Sequence, residues 1–378
     1  MMINLLILLF LILLFYYSIF LISVLKGLIK LSPVYKKEPV PEFVSVIIPF
    51  RNEEENILDN LKSIEAQSYP DDKFEVIYVD DSSTDNSLDI LKSCVKKDNI
   101  RILRLFEELN ETARKKRAVN FGIENSKGEI IVATDSDCFY SPDWLVSLLS
   151  AMDEKTGFIS GPVVFINGKN LFTELQQIEF AGLILTGAGL IEMKNPVICN
   201  AANIAYRKNI FKSLNGFQDK LHVSSGDDGF LMQKIHKNGR YKVKFCLNSD
   251  AVVKTRPLES LIQFYQQRKR WASKNIFYTD KKLIIKLVLI FFFYLGLAVQ
   301  FFSGFLISKL FFIPFIFSFL IKSLLEFLIL RKGRKILFHG LKLRYFFLAE
   351  VLQIPYIIIS SLAGLFGNFT WKERKVKR

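Results

Sequence analysis

The chain has 378 residues, a formal net charge of +14 at pH 7 and four cysteines, room for one domain of roughly two to three hundred residues and further segments. Cys94, Cys138, Cys199 and Cys246 stand far apart with no CxxC spacing, and the three histidines form no motif with them, which argues against a disulfide framework and against structural zinc. A basic soluble chain suggests nucleic acid, but here the basic residues cluster beside apolar runs and no nucleic-acid motif accompanies them, so no nucleic-acid partner is expected.

In chain order, Leu5 to Leu25 is uncharged and at about 1.5 Å per residue reaches the roughly 30 Å of a bilayer core. No basic residue precedes this run and no small-residue cleavage site comes after it, so residues 1–31 read as a retained membrane helix and not as a signal peptide. Lys26, Lys30, Lys36 and Lys37 come next, and the positive-inside rule places the segment that carries them in the cytoplasm. A linker, 32–42, ends in Pro39 and Pro41.

From Phe43 the periodicity changes. "FVSVIIPF" predicts a buried strand, "RNEEENILDNLKSIEAQSY" a helix with Ile57, Leu61 and Ile64 on one face, and "FEVIYVDDSSTDNSLDILKSC" a strand, an acidic turn and a helix. "IRILRL" is a third strand, "KKRAVNFGIENS" a helix, and "EIIVATDSD" a fourth strand, with Pro142 expected in the first turn of the helix after it. This alternation predicts an α/β domain, 43–255, with a mainly parallel sheet covered by helices on both faces.

Residues 256–282 contain a basic amphipathic helix, "LESLIQFYQQRKRWASK", expected at the membrane interface. The region 283–369 offers two or three spans. Leu287 to Ser308 is uncharged, Leu310 to Leu330 carries only Lys322 and Glu326, which pair at i,i+4, and Tyr345 to Phe369 holds Glu350, Gln353 and Pro355 in its first half. If every candidate spans, the basic tail, 370–378, ends outside; otherwise either the last segment is re-entrant or one of the candidates is not a span. Basic collars beside the spans suit anionic lipid headgroups.

Ligands of parallel α/β sheets bind beyond the carboxyl ends of the strands. Three strands deliver polar residues there: Arg51, Asn52 and Glu53; Asp80 and Asp81; Asp135 and Asp137. Neither GxGxxG after the first strand nor GxxxxGK[ST] is present, so a dinucleotide fold and a P-loop lack support. Two carboxylates one residue apart hold a hard divalent cation, or simply end a strand with backbone hydrogen bonds. Asp227 and Asp228, in "SSGDDGFLMQKI", either cap a helix or supply a general base.

Taken together, "VIIPFRNEE", "VDDSSTD", "TDSD", "SGDDGFL" and "QRKRW" resemble the family 2 inverting glycosyltransferases, in the membrane-bound branch that includes cellulose, chitin and hyaluronan synthases and ceramide glucosyltransferase. The resemblance covers Phe43 to Trp271 and implies a GT-A type fold, a nucleotide-sugar donor, a Mg2+ or Mn2+ cofactor and a lipid or lipid-linked saccharide acceptor. It further implies that Asn52 and Glu53 line the nucleotide pocket and that Asp81, or failing it Asp80, accepts from a uracil ring. Lys115 would touch phosphate, Asp135 and Asp137 would serve the metal and diphosphate with Asp137 the direct ligand, and Asp228 beside Asp227 would deprotonate the acceptor. Gln267, Arg270 and Trp271 would bind the acceptor and close over the diphosphate, and Asn170 to Asn203 would wall the acceptor side. Arg114 stands where the family pattern has glycine. The membrane part is shorter than that of the large polymer synthases, which favours transfer of one sugar or few over chain extrusion. The chain is therefore read as an integral membrane enzyme of the bacterial inner membrane with a cytoplasmic catalytic domain. The presence of every acidic motif argues against a silent sensor or scaffold.

Overall fold

The computed structural model describes residues 2–34, 38–105, 114–166, 168, 170–220, 223, 226–274, 277–366, 369–371 and 374–376. Lys36, Lys37, Ser224, Ser225, Lys372, Lys377 and Arg378 lie outside the described residues. The elements in chain order are α1 (Met2–Lys30), β1 (Val44–Phe50), α2 (Ile57–Glu65), β2 (Phe74–Asp80), α3 (Ser87–Cys94), β3 (Ile100–Arg104), α4 (Arg114–Glu124), β4 (Ile130–Ala133), β5 (Cys138–Phe139) and α5 (Trp144–Leu149). Then come β6 (Thr156–Ser160), β7 (Val163–Phe165), α6 (Leu171–Glu192), β8 (Ile204–Arg207), α7 (Lys208–Ser213), α8 (Asp227–Asn238), β9 (Lys242–Phe245) and β10 (Val253–Thr255). The chain closes with α9 (Leu261–Ser273), α10 (Lys281–Leu306), α11 (Phe312–Ile336), α12 (Phe346–Phe366), β11 (Phe369–Trp371) and β12 (Arg374–Val376).

These elements form two compact units, one of residues 31–166, 194–257 and 370–378, the other of 1–30, 167–193 and 258–369. The first is an α/β unit whose seven-stranded sheet has the order β3-β2-β1-β4-β8-β6-β9. β1 pairs in parallel with β2 and with β4, β2 with β3, and β6 with β9, while β8 runs antiparallel to β4 and β6. All residues of β1, β2, β4 and β6 are buried, the pattern of strands covered on two faces. Gly122 lets α4 come close: a Cβ there would lie 2.7 Å from Ile47 Cγ2 and 3.1 Å from Val79 Cγ2. The chain departs from β1 toward β2 and β3 on one side and returns on the other with β4. That reversal opens a crevice at the carboxyl ends of β1 and β4.

Pro142 lies before α5, which begins at Trp144 with Asp143 in the N-cap position. The expected first-turn place for the proline is corrected by two residues, because its carbonyl is engaged in accepting the Ser68 N–H at 2.8 Å.

The other unit is helical. Leu5–Lys30, Lys281–Leu306, Lys309–Ile336 and Phe346–Leu365 are each long and apolar enough to cross a membrane. Large apolar side chains such as Phe15, Leu306 and Ile313 point outward, as lipid-facing side chains do. Backbones of α1 and α6 touch: a Cβ on Gly27 would lie 1.9 Å from the Gly189 carbonyl oxygen, and one on Gly189 would lie 2.4 Å from that of Val24. Side chains there would force the helices apart.

Inside this bundle lies an ionic cluster. Lys322 is fully buried, and its Nζ lies 3.2 Å from Glu326 Oε1, 2.6 Å from Glu350 Oε2 and 2.7 Å from Gln353 Oε1. The expected i,i+4 pair is thus present, with a second carboxylate from α12 added. Ser323 donates to Glu350 at 3.0 Å, and Tyr17 of α1 donates to Glu326 at 2.7 Å. Breaking such a cluster from one side is costlier than removing it whole, because the partners remain buried and charged. Lys322→Met is expected to destabilise the protein by about 3–5 kcal/mol, and adding Glu326→Gln and Glu350→Gln to recover most of that loss. Thermal unfolding in detergent micelles checks both; a single variant as stable as wild type contradicts the account.

Candidate active site

The loops after β1 and β2 are joined by backbone-directed hydrogen bonds. Arg51 Nη1 donates to the carbonyl of Asp81 at 2.8 Å and to that of Ser82. Asn52 has φ of 50° and Ser82 φ of 56°, a left-handed backbone that asparagine tolerates and serine seldom adopts. The Asn52 N–H meets Ser83 Oγ at 3.2 Å, and Asn52 Oδ1 accepts the Thr84 N–H at 2.9 Å. The Glu53 N–H meets Ser87 Oγ at 2.7 Å, and Glu53 Oε2 accepts from Asn56 at 2.9 Å. Asp80 and Asp81 are both buried. Asp80 has a local task, since its Oδ1 accepts the Ser83 N–H at 2.9 Å. Its Oδ2 makes no hydrogen bond among the described residues and lies 3.5 Å from Arg104 Nε.

The turn after β4 is held from below by Asn60, a residue of α2 that belongs to none of the motifs. Its side chain is fully buried. Nδ2 lies 2.7 Å from the Cys138 carbonyl, 3.3 Å from the Asp135 carbonyl and 3.0 Å from Tyr140 Oη, while Oδ1 accepts from Tyr78 at 2.7 Å. Thr134 Oγ1 donates to the Ala202 carbonyl at 2.7 Å, tying the same turn to the start of β8. With its backbone fixed, the turn presents carboxylates: Asp135 Oδ1 is 2.6 Å from Lys115 Nζ on α4, and Asp137 Oδ1 accepts from the Cys138 thiol at 3.6 Å. Burial pushes the Cys138 thiol well up, and the charges of Asp137 and Asp135 push it further. Among the described residues no three His, Cys, Asp or Glu side chains gather to enclose a metal. Two hard carboxylates with the remaining positions left to phosphate and water fit Mg2+ or Mn2+, and do not fit a caged zinc.

Asp228 lies in the first turn of α8, behind Gly226 with φ of 84°. It is buried, and its Oδ1 accepts the Gly229 N–H at 2.6 Å. Asp227 opens the same helix; its side chain lies outside what is described. Lys116, a second residue that the motifs do not mark, is buried, donates to the Val223 carbonyl at 2.6 Å and lies 5.1 Å from the Phe230 ring. Adjacent lysines of α4 therefore reach two acidic segments, Lys115 the turn after β4 and Lys116 the approach to Asp228. A basic run at helical spacing reads as a solvated face, so the sequence does not separate their tasks.

Gln267, Arg270 and Trp271 are on α9, in the helical unit. α9 starts in a capping box: Ser260 Oγ accepts the Gln263 N–H at 3.2 Å and Gln263 Oε1 accepts the Ser260 N–H at 3.3 Å. The Trp271 ring lies 4.3 Å from the Arg268 guanidinium, and Arg268 Nη1 donates to Gln267 Oε1.

The family described as Glycosyl transferase family 2 matches residues 45–214, and Glycosyl transferase family group 2 matches residues 130–331, more than half of the chain. The probable glycosyltransferase YdaM of Bacillus subtilis is 29% identical over 238 residues, 61% of this chain and 55% of that protein. Hyaluronan synthase of Streptococcus pyogenes is 27% identical over 282 residues, 70% of this chain and 64% of that protein. The chain thus spans between half and two thirds of the length of these relatives. A mannosyltransferase of Pyrobaculum calidifontis, PcManGT, solved in complex with GDP-Man and Mn2+, has a similar fold: its TM-score is 0.60 at 18% identity, over 95% of this chain and 98% of that one.

Asn60→Ala is expected to lower stability by about 1–3 kcal/mol, since it leaves buried carbonyl and hydroxyl groups unpaired. Asn60→Asp is expected to cost at least as much, because a carboxylate cannot donate to the two carbonyls. Thermal unfolding of the variants checks this, and an aspartate variant as stable as wild type contradicts it.

Proposed function

The chain belongs to the family 2 glycosyltransferases, and on that premise we propose that it moves a sugar from a nucleotide-diphosphate donor to a hydroxyl of a lipid or lipid-linked saccharide, with inversion at the anomeric carbon. The observation that carries this reading is the convergence at one sheet edge of the loops after β1, β2 and β4, with Asp135 paired to Lys115 at 2.6 Å. This is the switch-point crevice in which a nucleotide is accommodated.

Asn52 and Glu53 line the nucleotide side, and Asp81 accepts from the base, taken to be uracil. Asp137, with Asp135, would hold a divalent ion, which when bound supplies positive charge beside the leaving diphosphate. The mannosyltransferase of similar fold was solved with Mn2+, in keeping with that choice. Lys115 adds a further positive charge at the phosphates. Asp228, with Asp227 beside it, takes the proton of the acceptor hydroxyl, whose oxygen attacks the anomeric carbon from the face opposite the nucleotide. The bond from that carbon to the diphosphate oxygen breaks as the new one forms. Gln267, Arg270 and Trp271 bind the acceptor and the diphosphate, an indole for stacking and a guanidinium for phosphate oxygens.

The catalytic domain, 43–255, is cytoplasmic in this reading, and the protein is integral to a bacterial inner membrane. A Cβ on Gly364 of α12 would lie 2.7 Å from Ala272 Cβ of α9. α12 therefore runs beside the interfacial motif helix, which supports a re-entrant last segment and a basic tail on the cytoplasmic side. Asp228→Asn is expected to lower transfer by about 100-fold or more and to leave UDP affinity within about twofold of wild type. Radiolabelled sugar-nucleotide transfer to extracted lipid, with isothermal titration of UDP, measures the two. Wild-type turnover in the variant removes the assignment.

A further inference from the structure

α6 carries Glu174, Gln176, Gln177 and Glu179 in its first half and is mostly apolar beyond them. Glu179 is almost wholly buried, with its side chain 10% exposed, and no motif accounts for it. Its carboxylate grips Arg268 of α9 in two places: Arg268 Nε donates to Oε1 at 3.1 Å, and Nη2 donates to Oε2. Tyr356 of α12 donates to the same Oε1 at 2.7 Å. The Arg268 guanidinium lies 4.3 Å from the ring of Phe264, one turn before it, and 4.3 Å from that of Trp271, one turn after. The remaining Nη1 donates to Gln267 Oε1.

We propose that Glu179 is a positioning residue: through Arg268 it sets the orientation of Gln267 and Trp271, and Tyr356 holds it in place for that task. The inference rests on the glycosyltransferase reading of Gln267, Arg270 and Trp271. Arg268 commits Nε and Nη2 to the carboxylate and Nη1 to Gln267, with two aromatic rings each 4.3 Å from its guanidinium, so it is the brace of the motif and not its phosphate ligand. Arg270 stands two residues on, about 200° around the helix, on another face. The sequence "QRKRW" offers three cations and no means of dividing them. A buried bidentate pair is poor evidence of stability, since apolar residues of equal volume do as well, but it fixes geometry. Geometry is what a stacking indole requires.

The test uses the full chain in nanodiscs, labelled with 5-fluorotryptophan, the Trp271 resonance being assigned by its loss in Trp271→Phe. Glu179→Gln keeps size and removes charge. It is expected to displace the Trp271 resonance and to lower turnover at least about tenfold, with UDP affinity within about twofold of wild type. Tyr356→Phe, which removes one hydrogen bond and leaves the ion pair, is expected to displace the resonance less and in the same direction. An unmoved resonance in Glu179→Gln, or a moved one with undiminished turnover, overturns the proposal. Should that variant fail to fold, Tyr356→Phe decides, an unmoved resonance overturning the proposal. A wild-type protein that transfers no sugar from any nucleotide of a panel removes the transfer reading, and the resonance alone then judges Glu179.

Discussion

One buried amide governs the acidic edge of the sheet. Asn60 accepts from Tyr78 of β2 and donates to the carbonyls of Cys138 and Asp135, so the turn that carries Asp135 and Asp137 cannot move without breaking hydrogen bonds in a region closed to water. Everything that depends on where those carboxylates point depends on this amide. Backbone atoms are fixed first, and only then does the 2.6 Å contact of Asp135 with Lys115 acquire a defined direction. α4 extends the constraint, because its next residue, Lys116, engages the Val223 carbonyl ahead of the helix that begins with Asp227 and Asp228.

The elements that place the site are legible in the sequence because their signals are local. Runs such as "FVSVIIPF" and "FEVIYVD" are rich in β-branched residues and give β1 and β2, and the acidic clusters that end them fall at one edge because the pairing is parallel. The residues that hold the site are not legible. Asn60 and Lys116 are polar side chains with partners from 18 to 107 positions away, and no period in the sequence reports such a partner. The same holds for Lys322, whose pairing with Glu326 comes from i,i+4 spacing whereas its closer contact with Glu350 spans 28 positions. In sequence, α6 reads only as a wall on the acceptor side. Its mixed first half and its mostly apolar second half, with Gly182, Gly187 and Gly189, do not disclose that it packs with the terminal helices.

The surplus of positive charge resolves into separate uses. Lys116, Arg268 and Lys322 are buried and held by carbonyls or carboxylates of their own unit, where desolvation makes each pairing obligatory. The exposed remainder beside the apolar helices is suited to lipid headgroups. Net charge alone would assign both groups one function.

The ionic cluster has a consequence for how α12 is held. α11 brings Lys322 and Glu326 on one helix face, so its charge is compensated within itself. α12 brings Glu350 alone, and its segment has the lowest mean hydropathy of the four, 1.7 against 3.0 for the first. The carboxylate of Glu350 is answered by Lys322 of α11 at 2.6 Å, and the same helix presents Tyr356 to Glu179 of α6. The seating of α12 on α11 and the bracing of the motif helix are thus carried by one helix.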